Sequence, residues 1–406
     1  MPEVLLSPPS TVPSQGGSNA FDLLCLCCAA DPGPEQIAQI TGWHYADLDW
    51  EDFLRQAEHH GVLSLVARNL LDRTPCLPPQ IRSSLESAYS TNFRRGLWFA
   101  SELMRITRQL ALNHVRAIPY KGAVLAQSAY GDLALRNFSD LDLLISPADF
   151  EQAKHALSQI GYLPTKTFTP AVERLWLKTG YERSFDGPGG KHLVELQWAI
   201  LPYFYAIDPA SFQFDDLWSR TGRIVLGTSD DSGVRLLSAE DSLLVLCVHA
   251  AKHLWTRLIW VADIAHALRA PDLDLALVVS QARALGIARI LAISLWLAKR
   301  LFQTSVPAPA DELIARDQDA PRFGKEFVAR LSSCTSYDFE STEYFSHILQ
   351  MRERARDRRR YLWRLIWTPG QGDIDALSLP EMLFPLYRGI RVARLLGKLV
   401  QSRPSR

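Results

Sequence analysis

Apolar residues recur at three- and four-residue spacings along the first part of the chain. The segments WEDFLRQAEHHGVLSLVARNLL and RRGLWFASELMRITRQLALNH show this spacing, which is typical of amphipathic helices. Pro78 and Pro79 interrupt the pattern between them. The spacing therefore predicts a helical region over residues 20–115. The Pro-, Ser- and Gly-rich residues 1–19 before it are predicted to form a flexible tail.

The hydrophobic pattern changes at Ala117. AIPYKG is a short apolar run that ends in glycine, and AVLAQSAYG after it has a helical spacing, so we expect a strand, a turn and a helix. In NFSDLDLLI, leucines alternate with Asp140 and Asp142, which predicts a half-buried strand. PADFEQAKHALSQIGY is typical of a helix, and YERSFDG and HLVELQWAI of two strands joined by a turn. Residues 116–232 are thus predicted to be an α/β core.

A helical pattern returns after about residue 235. SAEDSLLVLCVHAAKHLWTRLIWVADIAHALR predicts one helical stretch, with Ser238 and Asp241 as its capping pair. We expect helices over residues 233–305 and over residues 306–406. The predicted fold class is α+β: a small mixed β-sheet core flanked by N-terminal and C-terminal helical regions.

Composition and charge narrow the function only slightly. The 44 basic and 44 acidic side chains cancel, so net charge points to no partner. The six cysteines fit neither a disulfide framework nor a zinc-type CxxC repeat, which favours a reducing, cytoplasmic location. The longest apolar stretch, residues 282–301, carries Arg289 near its middle and is predicted to be a buried helix, so no transmembrane segment is expected.

The C-terminal segment from Met351 to Arg406 is basic, with 13 Lys and Arg against five Asp and Glu. Charge runs of this kind are most often solvated helix faces. An RNA-binding or membrane-surface role is the alternative, and Trp363 and Trp367 between arginines make nucleic acid a candidate partner.

Three acidic residues form the candidate catalytic and metal-binding set. Asp140 and Asp142 are two residues apart on a predicted strand, so both side chains leave the same face, where their charges repel. A hard divalent cation, Mg²⁺ or Mn²⁺, would hold both ionised. Glu195 lies between apolar neighbours on a later strand and can project from the same face. The alternative is an exposed turn that happens to contain Asp-x-Asp.

Basic and small residues around this strand predict phosphate contacts. Lys121 and Gly122 stand where a strand ends and a helix begins, so free backbone N–H groups and an ammonium can meet phosphate oxygens there. The candidate nucleotide- and phosphate-binding residues are Lys121, Gly122, Arg136, Ser139, Lys252 and Arg257.

Two histidines in the later helical stretch have an alternative interpretation. His249 and His253 are four residues apart and could bind a transition metal, although no adjacent acid completes an HExxH motif. A structural role for His249 is favoured. Asp263 is expected either to join the site or to pair with Arg257 in a salt bridge.

Together these segments resemble a known family. IPYKGAVLAQSAYGDLALRNFSDLDLLI, HLVELQW and VHAAKHLWTRLIWVADIA are similar to the uncharacterised bacterial nucleotidyltransferase family of the polymerase-β-like superfamily, over most of residues 20–300. The resemblance implies that Asp140, Asp142 and Glu195 are the three catalytic acids, and that the helical region 233–305 closes the cleft. Where the superfamily has Gly-Ser or Gly-Gly, this chain has Lys121-Gly122, which implies that Lys121 contacts phosphate.

Two hypotheses for function follow. The first is metal-dependent transfer of a nucleoside monophosphate from an NTP to an acceptor hydroxyl of unknown identity in a small molecule, peptide, protein or RNA. The second is a catalytically inactive protein of the same fold that binds a nucleotide or a partner, because the altered turn is also compatible with lost catalysis. A helical protein with unrelated surface acids is a third alternative.

Overall fold

The computed structural model describes residues 20–30, 32–190, 193–205, 207, 212–226, 233–338, 341–377 and 379–401. The predicted tail over residues 1–19 lies outside them. Within the described residues, helices surround one five-stranded mixed sheet, so the predicted α+β class is confirmed. The boundaries that we predict between regions remain predictions. In this part of the chain no helix has the length and apolar character needed to cross a membrane.

The sheet is built from five strands in the order β1-β2-β5-β4-β3. Strands β2 and β5 are parallel neighbours, and the other pairs are antiparallel. A separate hairpin pairs β6 with β7. The strands are β1 (Ala117–Pro119), β2 (Asp140–Ile145), β3 (Leu163–Pro164), β4 (Glu182–Asp186), β5 (Leu193–Gln197), β6 (Gly222–Ile224) and β7 (Val234–Leu236).

Helices precede, connect and follow these strands. Before the sheet come α1 (Ala20–Cys27), α2 (Pro34–Thr41), α3 (Trp50–His59), α4 (Leu63–Arg73) and α5 (Pro79–Leu112). Within the strand region lie α6 (Gly122–Leu125), continued by a π-helix over Ala126–Tyr130, α7 (Phe150–Gln159), α8 (Pro170–Thr179) and α9 (Phe214–Ser219). After the hairpin come α10 (Ala239–Lys252), α11 (Leu258–Ala267), α12 (Leu275–Leu285), α13 (Ala288–Phe302), α14 (Ala310–Arg316), α15 (Ala320–Ser332), α16 (Thr342–Met351), α17 (Ala355–Trp367), α18 (Gln371–Ala376) and α19 (Tyr387–Gln401).

Two helices expected to be continuous are each interrupted. The stretch predicted as one helix after residue 235 is divided into α10 and α11, because Leu254 and Trp255 adopt left-handed backbone conformations with both side chains buried. The stretch over residues 282–301 is divided by Gly286, which ends α12 in a left-handed conformation. Hydrophobic periodicity alone did not reveal these reversals, since the apolar residues continue through both.

The two faces of the sheet have different surroundings. On β2, Leu141, Leu143 and Ile145 belong to the hydrophobic core that includes residues of α5 and α7. Leu144 belongs instead to the larger core that contains α10 and α11. Because side chains alternate along a strand, Asp140 and Asp142 share the face of Leu144. The carboxylates are therefore directed toward the helices that follow the sheet.

A buried ion pair joins the segment before β2 to α11. Arg136 donates from Nε to Oδ1 of Asp263 at 2.8 Å and from Nη2 to Oδ2 at 2.9 Å. Both side chains are buried, and the Tyr130 hydroxyl donates a third hydrogen bond to Asp263 at 2.7 Å. The expected alternative pairing of Asp263 with Arg257 was therefore wrong. This two-point contact fixes α11 relative to the start of β2.

We expect Asp263→Ala to lower the free energy of unfolding by about 3–5 kcal/mol, because it leaves the Arg136 guanidinium buried without its counter-charge. Urea denaturation followed by circular dichroism measures the change. Asp311→Ala is the matched control, since Asp311 pairs with Lys299 where both side chains are about half exposed. A loss in Asp263→Ala no larger than in this control would contradict the anchoring role.

Candidate active site

The Lys121–Gly122 turn lies against the start of β2. Strand β1 ends at Pro119, and Gly122 begins α6 with a φ of +58°. A side chain on Gly122 would be strained by this positive φ, and its Cβ atom would be in van der Waals contact, at 3.4 Å, with the Asp140 carbonyl oxygen. Glycine thus lets the turn approach the backbone of Asp140 closely and keeps Lys121 beside the aspartates.

The strand register brings two of the predicted acids together. Asp142 on β2 lies directly opposite Glu195 on the parallel strand β5. Asp140 is two residues earlier on β2 and leaves the same face. The Lys121 ammonium lies 2.9 Å from Oδ1 of Asp142, and the side chains of Lys121 and Asp142 are only 10% and 2% exposed. Asp140, Asp142, Glu195 and Lys121 therefore share one face of the sheet.

The structure adds a fourth acid that sequence reasoning missed. Glu182 on β4 lies opposite Gln197 on β5, and that register places it beside Glu195. The alternation in YERSFDG indicated a strand, and Glu182 could have been assigned to its polar face. The pairing of this strand with β5 brings Glu182 to the site, and local sequence pattern carries no signal for that pairing.

Gln197 connects three of these carboxylates. Its Nε2 donates to Asp142 at 3.0 Å, to Glu195 at 3.1 Å and to Glu182 at 3.3 Å. The Tyr120 hydroxyl donates to Oε1 of Gln197, which orients the amide with its nitrogen toward the acids. Gln197 therefore supplies hydrogen-bond donors among the three carboxylates, a role that sequence reasoning missed.

Burial and mutual repulsion perturb the acids. Burial, together with the negative charge of Asp142, raises the pKa of Glu195 to about 8. The same two causes raise the pKa of Asp140. Burial also raises the pKa of Glu182, although the Lys252 ammonium opposes this effect. The face thus holds more negative charge than its protein surroundings neutralise, and such a face attracts cations.

The two lysines respond in opposite directions. Burial by itself would lower the pKa of Lys121, but the charge of Asp142 and the hydrogen bond to it outweigh burial, so the pKa is raised. Burial lowers the pKa of Lys252, against the attraction of Glu182. Lys252 Nζ donates to the Tyr181 hydroxyl at 2.7 Å, and Tyr181 also hydrogen-bonds Glu182. Lys252 is therefore linked to Glu182 through the Tyr181 hydroxyl.

Residues from far along the chain hold the end of α10 in place. The carbonyl oxygen of Lys252 accepts hydrogen bonds from Tyr344 of α16 at 2.7 Å and from Tyr205 at 3.3 Å. The two tyrosine hydroxyls also hydrogen-bond each other. The position of this lysine thus depends on a helix about 90 residues further along the chain.

His249 and His253 lie beside this lysine. Their ring centroids are 4.9 Å apart, and His253 stacks on Trp260 at 4.7 Å. Burial, with repulsion from Lys252, lowers the pKa of His253 to about 3. Burial and the charge of Lys121 lower the pKa of His249 well below its usual range. Both rings also pack against Trp260, so they are held among aromatic neighbours.

The remaining predicted site residues lie outside this face. Arg136 is buried with both guanidinium contacts directed to Asp263. Ser139 is exposed immediately before β2. Arg257 is exposed at the start of α11, with its guanidinium 6.0 Å from the centroid of the Trp260 ring. The structure thus brings Lys121, Gly122 and Lys252 to the acids, and places the other three candidates around them.

The acids fit a hard divalent cation in residue type and strand register, since Mg²⁺ and Mn²⁺ prefer carboxylate oxygens. Their side chains are not gathered about one point, however. Among the described residues, the cluster whose three ligand atoms all lie within 4.8 Å of one another is a different one, Glu326, Glu343 and His347. Lys121 and Gln197 contact Oδ1 of Asp142, an oxygen that a bound cation would need. Ion binding would therefore require side chains at the site to rotate, while the strand register stays the same.

A cavity of about 400 Å³ opens near the other end of the same strands. Its lining includes Ser146, directly after β2, and Trp198, directly after β5. Four residues separate Asp142 from Ser146, or about 13 Å at the usual strand rise of about 3.3 Å per residue. The cavity therefore opens beyond the carboxyl ends of β2 and β5, and its lining also includes Tyr205, which hydrogen-bonds the Lys252 carbonyl oxygen.

Comparison with known proteins places this arrangement in context. No curated protein and no solved structure matches the chain. One family model matches residues 46–303, a range that contains the whole five-stranded sheet with α10 and α11. That family is described as "Uncharacterised nucleotidyltransferase". The match covers more than half of the chain and every residue of the carboxylate face, and the chain therefore belongs to this uncharacterised nucleotidyltransferase family.

Proposed function

We propose that the protein catalyses metal-dependent transfer of a nucleoside monophosphate from an NTP to an acceptor hydroxyl, with release of pyrophosphate. Membership of a nucleotidyltransferase family supports nucleotidyl transfer. The observation that carries the metal dependence is the direct opposition of Asp142 and Glu195 on neighbouring strands, with Asp140 on the same face. These three carboxylates would hold Mg²⁺ or Mn²⁺, which when bound neutralises phosphate charge and activates the acceptor hydroxyl.

Lys121 is the residue that we assign to the triphosphate. Its ammonium lies 2.9 Å from Oδ1 of Asp142 and its pKa is raised, so a charged group is positioned at the site. A phosphate oxygen offers it an equivalent anionic partner. Because transfer of this type depends on positioning and charge neutralisation, no covalent protein nucleophile is required.

Arg136 was also a candidate for the triphosphate, but its contacts support a different role. Both nitrogens that face Asp263 are within 2.9 Å of its carboxylate, and the side chain is buried. Releasing it to bind phosphate would leave Asp263 charged and unpaired. We therefore assign Arg136 to fixing α11 and the start of β2, and Lys121 to the phosphate.

Glu195 is the residue that we assign to the acceptor. It lies on β5, with Asp142 opposite it on one neighbouring strand, and the Gln197 amide hydrogen-bonds its carboxylate. Glu182 and Lys252 lie on the side of Glu195 away from Asp142, since β4 is the other neighbour of β5. An acceptor hydroxyl that enters from the β4 side would meet Glu195, the Tyr181 hydroxyl and the Lys252 ammonium.

The alternative is a nucleotide-binding protein of the same fold without catalysis. One observation favours it: Lys121 and Gln197 already occupy Oδ1 of Asp142, where a catalytic metal would bind. Calorimetry with each NTP, with and without Mg²⁺, separates the alternatives when it is combined with the transfer assay below. Tight nucleotide binding that Mg²⁺ does not affect, together with no transfer, would favour the non-catalytic protein.

We expect Asp142→Asn to reduce nucleotidyl transfer roughly a thousandfold, because loss of a metal ligand removes several kcal/mol of transition-state stabilisation. The assay uses NTPs labelled at the α-phosphate, Mg²⁺ or Mn²⁺ and a cell extract that supplies acceptors. Label at the γ-phosphate should remain with pyrophosphate, which distinguishes nucleotidyl from phosphoryl transfer. Asp311→Asn, on α14 where the carboxylate pairs with Lys299 at the surface, is the control. Unchanged labelling by Asp142→Asn would refute the assignment.

The raised pKa of Glu195 predicts a pH-dependent stability difference in the metal-free protein. The ordinary pKa is 4.5 and the folded value about 8, so between these pH values the folded state retains a proton that the unfolded state has lost. The stabilisation by wild-type Glu195 relative to Glu195→Gln is therefore complete below pH 4.5 and lost as the pH rises to 8. Urea denaturation of both proteins from pH 5 to 8.5 measures this difference. A difference independent of pH would contradict the shift.

A further inference from the structure

Helix α17 presents an exposed face that nothing else in the described chain covers. Asp357, Tyr361 and Leu365, spaced four residues apart, are buried and attach one side of the helix to the protein. The opposite side is exposed along its whole length. Residues there at three- and four-residue spacings lie on a common face of the helix.

Large apolar side chains occupy the C-terminal half of this exposed face. Trp363 is 64% exposed, and Leu362, Ile366 and Trp367 are also exposed. The two indole rings lie 5.4 Å apart, so they form a continuous surface. Scattered single apolar residues are normal on a protein surface, but four neighbouring ones on one helical face usually mark an interaction site.

Arginines occupy the N-terminal half of the same face. Arg356 and Arg359 precede Trp363 by seven and four residues and are both exposed. Arg359 makes no ion pair within the described residues, and Arg356 lies 3.7 Å from Asp357, the one acidic residue of the helix. The face therefore combines cationic and apolar side chains without a matching acidic group.

The surface is held rigidly. Arg391 of α19 donates to the carbonyl oxygen of Leu365 at 3.1 Å. Arg391 and Arg394 also pair with Asp373, which is completely buried. Helix α19 is thus tied to α17 and α18, so the exposed face is part of an ordered region and does not depend on folding during binding.

We propose that the exposed face of α17 binds the surface of an anionic lipid bilayer. Tryptophan is favoured at the boundary between water and hydrocarbon, and arginine is attracted to anionic headgroups while its aliphatic stem stays on apolar surface. The segment Glu381–Leu386 has a similar character, because Met382 is 92% exposed and Leu383 and Leu386 are exposed as well. The proposal is independent of the nucleotidyl transfer proposed above.

Charge and side-chain type favour this occupant over two others. A second copy of this face would bring only the same arginines and apolar groups, so it would supply no acidic partner for the arginines. Single-stranded RNA would satisfy the arginines and stack on the indoles, but it offers nothing to Leu362 and Ile366. An anionic bilayer accepts both the cationic and the aliphatic part of the face.

The test is sedimentation of the full chain with vesicles of phosphatidylcholine alone or mixed with phosphatidylserine. We expect binding to the anionic vesicles that weakens with salt. Arg356→Gln/Arg359→Gln should lower the affinity roughly thirtyfold, at about fivefold for each arginine removed. Trp363→Ser/Trp367→Ser should abolish quenching of tryptophan fluorescence by brominated lipid. Leu112→Ser and Arg94→Gln, exposed on α5, are controls that should bind as wild type does.

Several outcomes would overturn the proposal. These are equal binding to both vesicle types, no binding to either, and anionic binding that neither double variant weakens. Binding of an RNA oligonucleotide in place of vesicles would identify nucleic acid as the occupant. A dimer that Trp363→Ser/Trp367→Ser converts to a monomer, without vesicle binding, would identify a second copy. Because the substituted side chains are exposed, unchanged circular dichroism and thermal midpoints verify that each variant is folded.

Discussion

Repulsion between acidic groups on one sheet face is the constraint on which the site depends. Asp140, Asp142, Glu182 and Glu195 come from three adjacent strands and are partly or fully buried, so their negative charges interact more strongly than they would in water. An isolated fold has limited means to balance such charge. Here two lysines and the amide of one glutamine lie among the acids, and the pKa values of Asp140, Glu182 and Glu195 are raised.

The turns and helices around the sheet hold Lys121, Lys252 and Gln197 close to the acids. Gly122 allows the turn after β1 to approach β2, which keeps Lys121 within reach of Asp142. The reversal at Leu254 and Trp255 directly follows α10, which ends at Lys252, and separates it from α11. The buried pair of Arg136 and Asp263 then fixes α11. The helices outside the sheet therefore help to position the charged groups that offset the acids.

The sequence predicted those features that depend on local pattern. Alternation placed Asp140 and Asp142 on one face of a strand, and the apolar neighbours of Glu195 identified the second strand. Features that depend on pairing between distant segments could not be predicted this way. The proximity of Glu182 requires the register of β4 with β5, and the role of Gln197 requires the position of Tyr120. Arg136 was expected at phosphate because its charge was visible in the sequence and its buried partner was not.

The hydrogen bond from Tyr344 to the carbonyl oxygen of Lys252 connects a C-terminal helix to the acid cluster. Tyr344 lies beyond residue 303, where the match to the nucleotidyltransferase family ends, yet it holds the backbone of a residue inside the acid cluster. The recognisable family segment is thus shorter than the segment that must fold together. The family match and the packed structure therefore have different limits in this protein, since α16 contacts the end of the helix that carries Lys252.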